Sequence, residues 1–150
     1  MNLSDEQKLV FQFFNEVGII QQLSSTLFNR LLPKGLHNSH FSVLNHLTRL
    51  GDGRTPVEIA RAFQVTKPTI TNTLSTLVDR GFVRVVPNEK DGRSKLVFLT
   101  DAGRAFHLDA ISRLVPTMQR LEGQLDFAAM AKVLPELVRI REILDKDRDP

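Results

Sequence analysis

Apolar residues recur every three or four positions along the first part of the chain. They fall at Val10, Phe13, Val17, Ile20, Leu27 and Leu31. This spacing predicts one long amphipathic helix with a nearly heptad seam. A helix from Asp5 to about Leu32 would be about 42 Å long. Such a helix is longer than a small domain needs for its own core, so we expect the seam to contact a second chain.

Two shorter helices are predicted next. Asn38 or Ser39 caps a second helix, which the glycines at 51–53 end. Thr55 caps a third helix, and Glu58 three residues later completes a capping box. This third helix is short, and its apolar residues are predicted to pack on the helix that follows.

A fourth helix begins after a turn at 64–65. Thr66 is its predicted N-cap, and Gly81 ends it in a left-handed conformation. The segments 82–86 and 95–99 are rich in β-branched and other apolar residues, and a turn sequence separates them. They predict a two-stranded hairpin with a charged tip.

Helical patterns return after the hairpin. Thr100 caps a fifth helix that we expect to continue through Leu121 with a kink at Pro116. Asp126 starts a last helix, in which Pro135 predicts a kink or a fresh start. The final residues, 145–150, are expected to fray. The whole pattern predicts a mainly α fold with a small β-hairpin.

Composition narrows the class of protein without identifying it. Of the 150 residues, 41% are hydrophobic and 25% are charged, as in ordinary globular proteins. The chain has no cysteine, which excludes disulfides and Cys-ligated zinc. We find no secretory signal and no apolar run of membrane-spanning length, so the expected location is cytoplasmic, without a membrane partner.

The positive charge is concentrated in the middle of the chain. Residues 54–104 contain nine Lys or Arg and five Asp or Glu, whereas the whole chain carries a net charge of +3. The remaining residues therefore carry one net negative charge. A basic middle with nearly neutral flanks favours a polyanionic partner for that segment.

The fourth helix has two predicted faces. Ile70, Leu74, Leu77 and Val78 form an apolar face, and short polar residues lie opposite. Small hydroxyl and amide groups suit base edges in a major groove, with Asn72 the best candidate for adenine. Lys67 at the helix start suits a phosphate. The candidate DNA-binding residues on this helix are Lys67, Pro68, Thr69, Thr71, Asn72 and Ser75. The alternative is that these residues only cap the helix and face solvent.

The predicted hairpin tip carries four further candidates, Lys90, Asp91, Arg93 and Lys95. Arg93 can extend into a narrow minor groove, where the potential is most negative. Asp91 is expected to orient Arg93 through a charge-assisted hydrogen bond. The alternative is an ordinary polar hairpin tip. Two helices joined by a tight turn and followed by such a hairpin form a winged helix-turn-helix, a reader of duplex DNA.

The hairpin sequence resembles a family signature. Residues 91–95 (DGRSK), the strand at 96–99, Thr100 and Gly103 are similar to the MarR wing pattern Asp-x-Arg-x-Lys, apolar strand, Leu-Thr-x-x-Gly. The run LVDRGFV at 77–83 also resembles the family. The resemblance covers about Thr55 to Gly103, and the flanking helices match by length and order alone.

The resemblance implies a homodimeric transcriptional regulator of double-stranded DNA. Residues 1–36 would form an N-terminal dimerisation helix, 37–104 the DNA-binding domain and 105–150 the C-terminal dimerisation helices. The two fourth helices would enter successive major grooves of a pseudo-palindromic operator. The expected regulator is a repressor that a small effector releases. Many members carry arginine where this chain has Gly92, which removes a wing-tip phosphate contact.

Relatives bind small aromatic or anionic effectors between the dimerisation helices and the DNA-binding lobe. The candidate residues here are Phe14, Phe28, Arg30, His37, Phe41 and Arg49. A core role for the phenylalanines is the alternative. His37, His40 and His46 are interpreted as surface or interdomain residues rather than a metal site, because the last two occupy different helix faces.

No cofactor is expected. The sequence has no glycine-rich phosphate loop and no serine in a nucleophile elbow, so an enzyme is not expected. The competing function is a winged-helix module that contacts proteins without reading DNA.

Overall fold

The computed structural model describes residues 2–147, which form seven helices and two strands. They are α1 (Asp5–Leu31), α2 (Asn38–Leu50), α3 (Pro56–Phe63), α4 (Lys67–Asp79), β1 (Val83–Pro87), β2 (Lys95–Leu99), α5 (Asp101–Ser112), α6 (Val115–Glu122) and α7 (Phe127–Asp147). The chain divides into two compact units, 1–114 and 115–150, whose described parts are 2–114 and 115–147. Within those bounds, no helix is both long and apolar enough to span a membrane. The mainly helical fold with a hairpin wing is as predicted.

Side-chain caps fix the starts of the helices. Ser4 Oγ accepts from the Gln7 N–H at 3.2 Å, and the Gln7 side chain accepts from the Ser4 N–H at 2.9 Å. Thr55 and Glu58 make the same reciprocal pair at the start of α3. These bonds satisfy N–H groups that have no partner inside the helix. The predicted capping box at Thr55 is confirmed.

The predicted cap of α2 was wrong by one or two residues. The helix begins at Asn38, and His37 is its N-cap. The Asn38 N–H is bound by Asn29 Oδ1 of α1 at 2.6 Å, and His40 Nδ1 accepts the His37 N–H at 2.9 Å. An imidazole therefore occupies the place that Glu or Gln takes in a capping box.

The core of the first unit lies between the helix-turn-helix and the hairpin. Its fully buried centre includes Leu44, Leu47, Ile59, Leu77 and Val97. A second cluster joins α1 to α5 through Phe28, Leu32, Leu36 and Ala110. Because both clusters share Phe82 and Phe106 at their edges, the wing and the helices of this unit pack as one body.

The wing is an antiparallel hairpin in which Val83 pairs with Leu99 and Pro87 with Lys95. Its first strand lies one residue later than predicted. Residues 53–54 add a short third segment beside β2. The Gly53 N–H donates to the Val97 carbonyl at 3.0 Å, and the Val97 N–H donates to the Arg54 carbonyl at 2.9 Å. This pairing ties β2 to the loop between α2 and α3.

The C-terminal helices differ from the prediction at Pro116 and Pro135. We expected α5 to run through Pro116 with a kink, but α5 ends at Ser112 and Pro116 occupies the first turn of a new helix, where no hydrogen bond is lost. No fresh start occurs at Pro135, which lies inside a continuous α7. The predicted frayed tail is helical over 145–147, and its last three residues lie outside the described residues.

Candidate nucleic-acid interface

Burial along α4 differs from the sequence prediction at two positions. Ile70, Leu74 and Leu77 are buried as expected. Thr73 is buried as well, whereas Val78, predicted on the apolar face, is 42% exposed. Thr73 Oγ1 donates to the Thr69 carbonyl at 3.0 Å, so its hydroxyl is satisfied inside the core. Its spacing of three and four residues from Ile70 and Leu77 was the signal that sequence reasoning missed.

The opposite face of α4 is solvent-exposed and polar. All six candidates on this helix are solvent-exposed: Lys67, Pro68, Thr69, Thr71, Asn72 and Ser75. The Thr69 hydroxyl lies 2.9 Å from that of Thr66, the N-cap. In the described chain, the side chains of Thr71, Asn72 and Ser75 have no hydrogen-bond partner. These three polar groups are therefore available to an external ligand.

The start of α4 suits an anion. Lys67 is its first residue and is exposed, and the helix has no acidic residue in its first turn. The free N–H groups and the dipole give this end a partial positive charge. Lysine and helix end together favour a phosphate at this place.

The wing tip carries four exposed charged residues, Lys90, Asp91, Arg93 and Lys95. Asp91 Oδ1 accepts the main-chain N–H of Arg93 at 3.0 Å, and the Asp91 carbonyl accepts the Ser94 N–H at the same distance. No ion pair joins the Asp91 and Arg93 side chains within the described chain. Asp91 thus fixes the backbone at Arg93, where we had expected it to hold the guanidinium, which stays exposed.

Asn88 also shapes the tip, and sequence reasoning missed it. Its side chain donates to Ser94 Oγ at 3.0 Å and accepts the Lys90 N–H at 3.1 Å. Its N–H donates to the Ser94 carbonyl at 3.1 Å. An asparagine directly after a strand and Pro87 was the available signal, since Asn side chains commonly bind nearby N–H groups in turns.

Asp52, in the loop between α2 and α3, binds both the base of the wing and α5. One carboxylate oxygen accepts the Leu99 N–H at 2.9 Å, and the other lies 2.6 Å from Arg104 Nη2. The partners of Asp52 are 47 and 52 residues away, so no local pattern indicates this role.

A groove of about 330 Å³ runs between α4 and the wing. It is lined by Pro56, Thr71, Leu74, Ser75, Val78, Val85 and Lys95. Two predicted residues of α4 and one of the wing thus lie in the same depression. We call it the helix-wing groove.

The effector candidates separate into two sets. Phe28 and Phe41 pack edge to face with ring centroids 4.7 Å apart, and both line a groove of about 320 Å³ with Gln21, Ser24, Ser25, Asn38 and Leu114. Phe14 contacts Phe13 and is 42% exposed. Arg30, His37 and Arg49 are exposed and do not line this groove. The structure therefore brings together two of the three aromatic candidates, Phe28 and Phe41, without the three basic ones.

The rings of His37, His40 and His46 each pack against another ring. The His37 and His40 rings lie 5.9 Å apart, and His46 lies 5.3 Å from Phe63. Burial lowers the pKa of His40 and of His46. Within residues 2–147, no group of three or more His, Cys, Asp or Glu side chains could hold a metal ion.

Comparisons with known proteins agree with this geometry. The MarR family model matches residues 34–94, which include α2, the helix-turn-helix, and the first strand and tip of the wing. The transcriptional activatory protein BadR of Rhodopseudomonas palustris is 31% identical over 94 residues, 61% of this chain and 54% of BadR. The chain thus spans about half the length of this curated relative.

Two solved structures extend the similarity over most of the fold. The transcriptional regulator BldR of Sulfolobus solfataricus has a TM-score of 0.78 and 25% identity, covering 93% of this chain and 99% of that one. A mutant of MarR from E. coli, crystallised with operator DNA, has a TM-score of 0.71 and 26% identity, covering 91% and 99%. The chain is therefore similar to the MarR family in sequence over residues 34–94 and in fold over most of its length, and its fold is that of a winged-helix protein.

Proposed function

We propose that the protein is a transcriptional regulator that binds double-stranded DNA in a sequence-specific way. The observation that carries the proposal is the exposed face of α4, where Thr71, Asn72 and Ser75 keep free polar groups beside a basic wing. Free amide and hydroxyl groups on an exposed helix are what base recognition in a major groove requires. The MarR structure with operator DNA supports the same use of this fold.

In the proposed complex, α4 enters the major groove and the wing tip reaches the adjacent minor groove. Asn72 is the proposed adenine contact, because an amide can bind both N6 and N7. Arg93 is the proposed minor-groove residue, and its guanidinium is exposed at the tip. Lys67 and Lys90 are the proposed phosphate contacts near the two ends of the surface.

We further propose that the protein acts as a homodimer. Large apolar residues are exposed on α1 and α7 of the single chain, including Val10 at 56%, Ile20 at 61% and Leu134 at 59%. Exposed apolar surface of this extent favours a protein partner. A second copy would place two α4 helices on half-sites about 10–10.5 base pairs apart on a pseudo-palindromic operator. Light scattering at micromolar concentration should give twice the chain mass of 17.0 kDa.

Repression relieved by a small effector is the proposed mode of regulation. A dimer that covers two major grooves excludes polymerase wherever operator and promoter overlap. The effector is an aromatic or anionic molecule, and the groove beside Phe28 and Phe41 supports the aromatic half of this proposal. BadR is named a transcriptional activatory protein, so a reporter with the selected operator at the promoter tests the direction of regulation.

Fluorescence anisotropy with labelled random duplex tests DNA binding. The proposal predicts micromolar-range affinity that falls steeply with salt, because bound phosphates release counterions. Selection from a random duplex pool should then yield a site with two related halves. Absence of binding at low salt would overturn the proposal in favour of a winged-helix module that contacts proteins.

A further inference from the structure

The helix-wing groove places polar and apolar residues in a specific order. Thr71 and Ser75 are four residues apart, so both lie on one side of α4. Lys95 lies across the groove from them at the start of β2, at the tip end of the hairpin, where it pairs with Pro87. Val78 and Val85 supply the apolar wall. The groove holds roughly ten times the volume of one water molecule in the liquid, so it is larger than a hydration site.

Lys95 is held at the groove by the strand itself. It lies on the same face of β2 as Val97, which is fully buried, because alternate residues of a strand share a face. A lysine at such a position buries its stem and extends its ammonium group to the edge. Within residues 2–147, Lys95 has no acidic partner. Its charge is therefore left for an external anion.

DNA geometry indicates which anion this is. When α4 lies in the major groove and the wing tip in the neighbouring minor groove, one DNA strand separates the two elements. That strand must cross the space between α4 and the wing, where the helix-wing groove lies. We propose, on the basis of the proposed function, that this groove binds one sugar-phosphate segment of that strand. Lys95, Ser75 and Thr71 contact the phosphate, and Val78 and Val85 contact the deoxyribose carbons.

This inference changes the role of Ser75. From the sequence, Ser75 was grouped with Asn72 as a base reader. In the structure, Ser75 and Lys95 line the same helix-wing groove. Asn72 does not line the groove and stays free to contact bases. Contacts to phosphate position a protein on DNA but carry no direct sequence information.

Measurements of affinity and of sequence preference distinguish phosphate contacts from base contacts. Lys95→Met should weaken binding to selected operator and random duplex by the same factor, about tenfold, and reduce the salt slope by about 0.9. Ser75→Ala should weaken both about fivefold, as expected for one lost hydrogen bond. Asn72→Ala should instead reduce the ratio between operator and random duplex. Lys8→Met, which removes an exposed lysine of α1, is the charge control and should leave the salt slope unchanged.

A double-mutant cycle with the DNA locates the contact. Operators carrying one uncharged methylphosphonate at each backbone position are titrated with the unmodified protein and with Lys95→Met. At one position in each half-site, the methylphosphonate should weaken the unmodified protein and have no further effect on Lys95→Met. Circular dichroism and light scattering verify that every variant is folded and has the unmodified protein's oligomeric state.

Two results would overturn the inference. One is strictly additive loss at every backbone position, and the other is an altered base preference for Ser75→Ala. In either case, duplex binding by the unmodified protein would leave the proposed function intact. Failure of the unmodified protein to bind any duplex at low salt would reject the proposed function itself.

Discussion

Gly103 packs directly against the main chain at Phe82. A Cβ atom on Gly103 would lie 2.0 Å from the Phe82 carbonyl oxygen. The same carbonyl accepts the Thr100 N–H at 3.1 Å, and the Gly103 N–H donates to Thr100 Oγ1 at 3.0 Å. The first turn of α5 therefore rests on the entry to β1. This close approach is the physical reason for the Thr-x-x-Gly part of the wing signature.

We predict that Gly103→Ala destabilises the protein although alanine favours helices. The helix preference of alanine over glycine contributes about 1 kcal/mol in its favour. The clash with Phe82 involves backbone on both sides, and overpacking of this kind costs about 1–3 kcal/mol or more. We expect a net loss in the free energy of unfolding, measured by urea titration at fixed protein concentration.

Gly92→Ala is the matched control for that substitution. A Cβ atom on Gly92 meets no other atom within 4 Å, and its backbone does not require a positive φ. The free energy of unfolding should change by less than about 0.5 kcal/mol. Equal losses from the two alanine substitutions would contradict the packing argument.

The Asp52 carboxylate should matter more than its ion pair with Arg104. Asp52→Ala leaves the Leu99 N–H without its partner, which costs about 1–3 kcal/mol for a buried donor. Arg104→Met removes only a bridge whose arginine side chain is 50% exposed, worth about 0–1 kcal/mol. Urea titrations of both variants test the order. A larger loss from Arg104→Met would show that the ion pair is the main stabilising contact.

Asp91 should act on DNA binding through the shape of the wing. Asp91→Asn keeps an oxygen that can accept the Arg93 N–H, so operator affinity should be almost unchanged. Asp91→Ala removes that acceptor and should weaken binding. Arg93→Ala should cost about 1–3 kcal/mol of binding free energy if its guanidinium contacts the minor groove. Anisotropy titrations at constant salt compare the three variants. If Asp91→Asn weakens binding as much as Asp91→Ala, the carboxylate charge is required after all.

His40 makes stability depend on pH. Burial, followed by the charge of His37, lowers the pKa of His40 below 6.5, and Arg80 acts in the same direction. The unfolded chain therefore binds a proton at a higher pH than the folded chain. The free energy of unfolding should fall as pH drops below about 6.5 and level off below the folded pKa. Protonation of Nδ1 would also remove the acceptor for the His37 N–H.

The test is His40→Gln, because glutamine keeps an acceptor at the capping position without titrating. Urea titrations at about pH 7.5 and about pH 5.5 cover the range in which histidine changes charge. The loss of stability on acidification should be smaller in the variant, with the remainder due to His46 and His107, whose pKa values burial also lowers. An unchanged loss would exclude His40 as a source of the pH dependence.

Local chemistry explains which parts of the fold were predictable. The caps at Thr55 and Thr66 and the turn at Gly81 depend on residues close together in the sequence, and each was found where expected. The end of α5 at Ser112 was not predictable in this way. A proline pattern alone does not distinguish a kink from a new first turn.

The candidate interface was predictable as a surface but not in its internal contacts. Exposure of Asn72 and Arg93 follows from the helical period and the turn sequence. The partner of Asp91, the link from Asp52 to Leu99 and the exposure of Val78 depend on how distant segments meet. The helix-wing groove is of this second kind, because Ser75 and Lys95 are joined only by tertiary packing.

The short pairing of residues 53–54 with Val97 determines how the wing can move. An isolated two-stranded hairpin is marginally stable in water, but a third segment holds this one at its base. Swinging the whole hairpin would break these two main-chain hydrogen bonds. The wing is therefore a fixed arm, and the side chains of Asn88 and Asp91 hold the backbone of its tip. In the proposed complex, the reach of this arm to the minor groove is set before DNA binds, so an operator must match that reach.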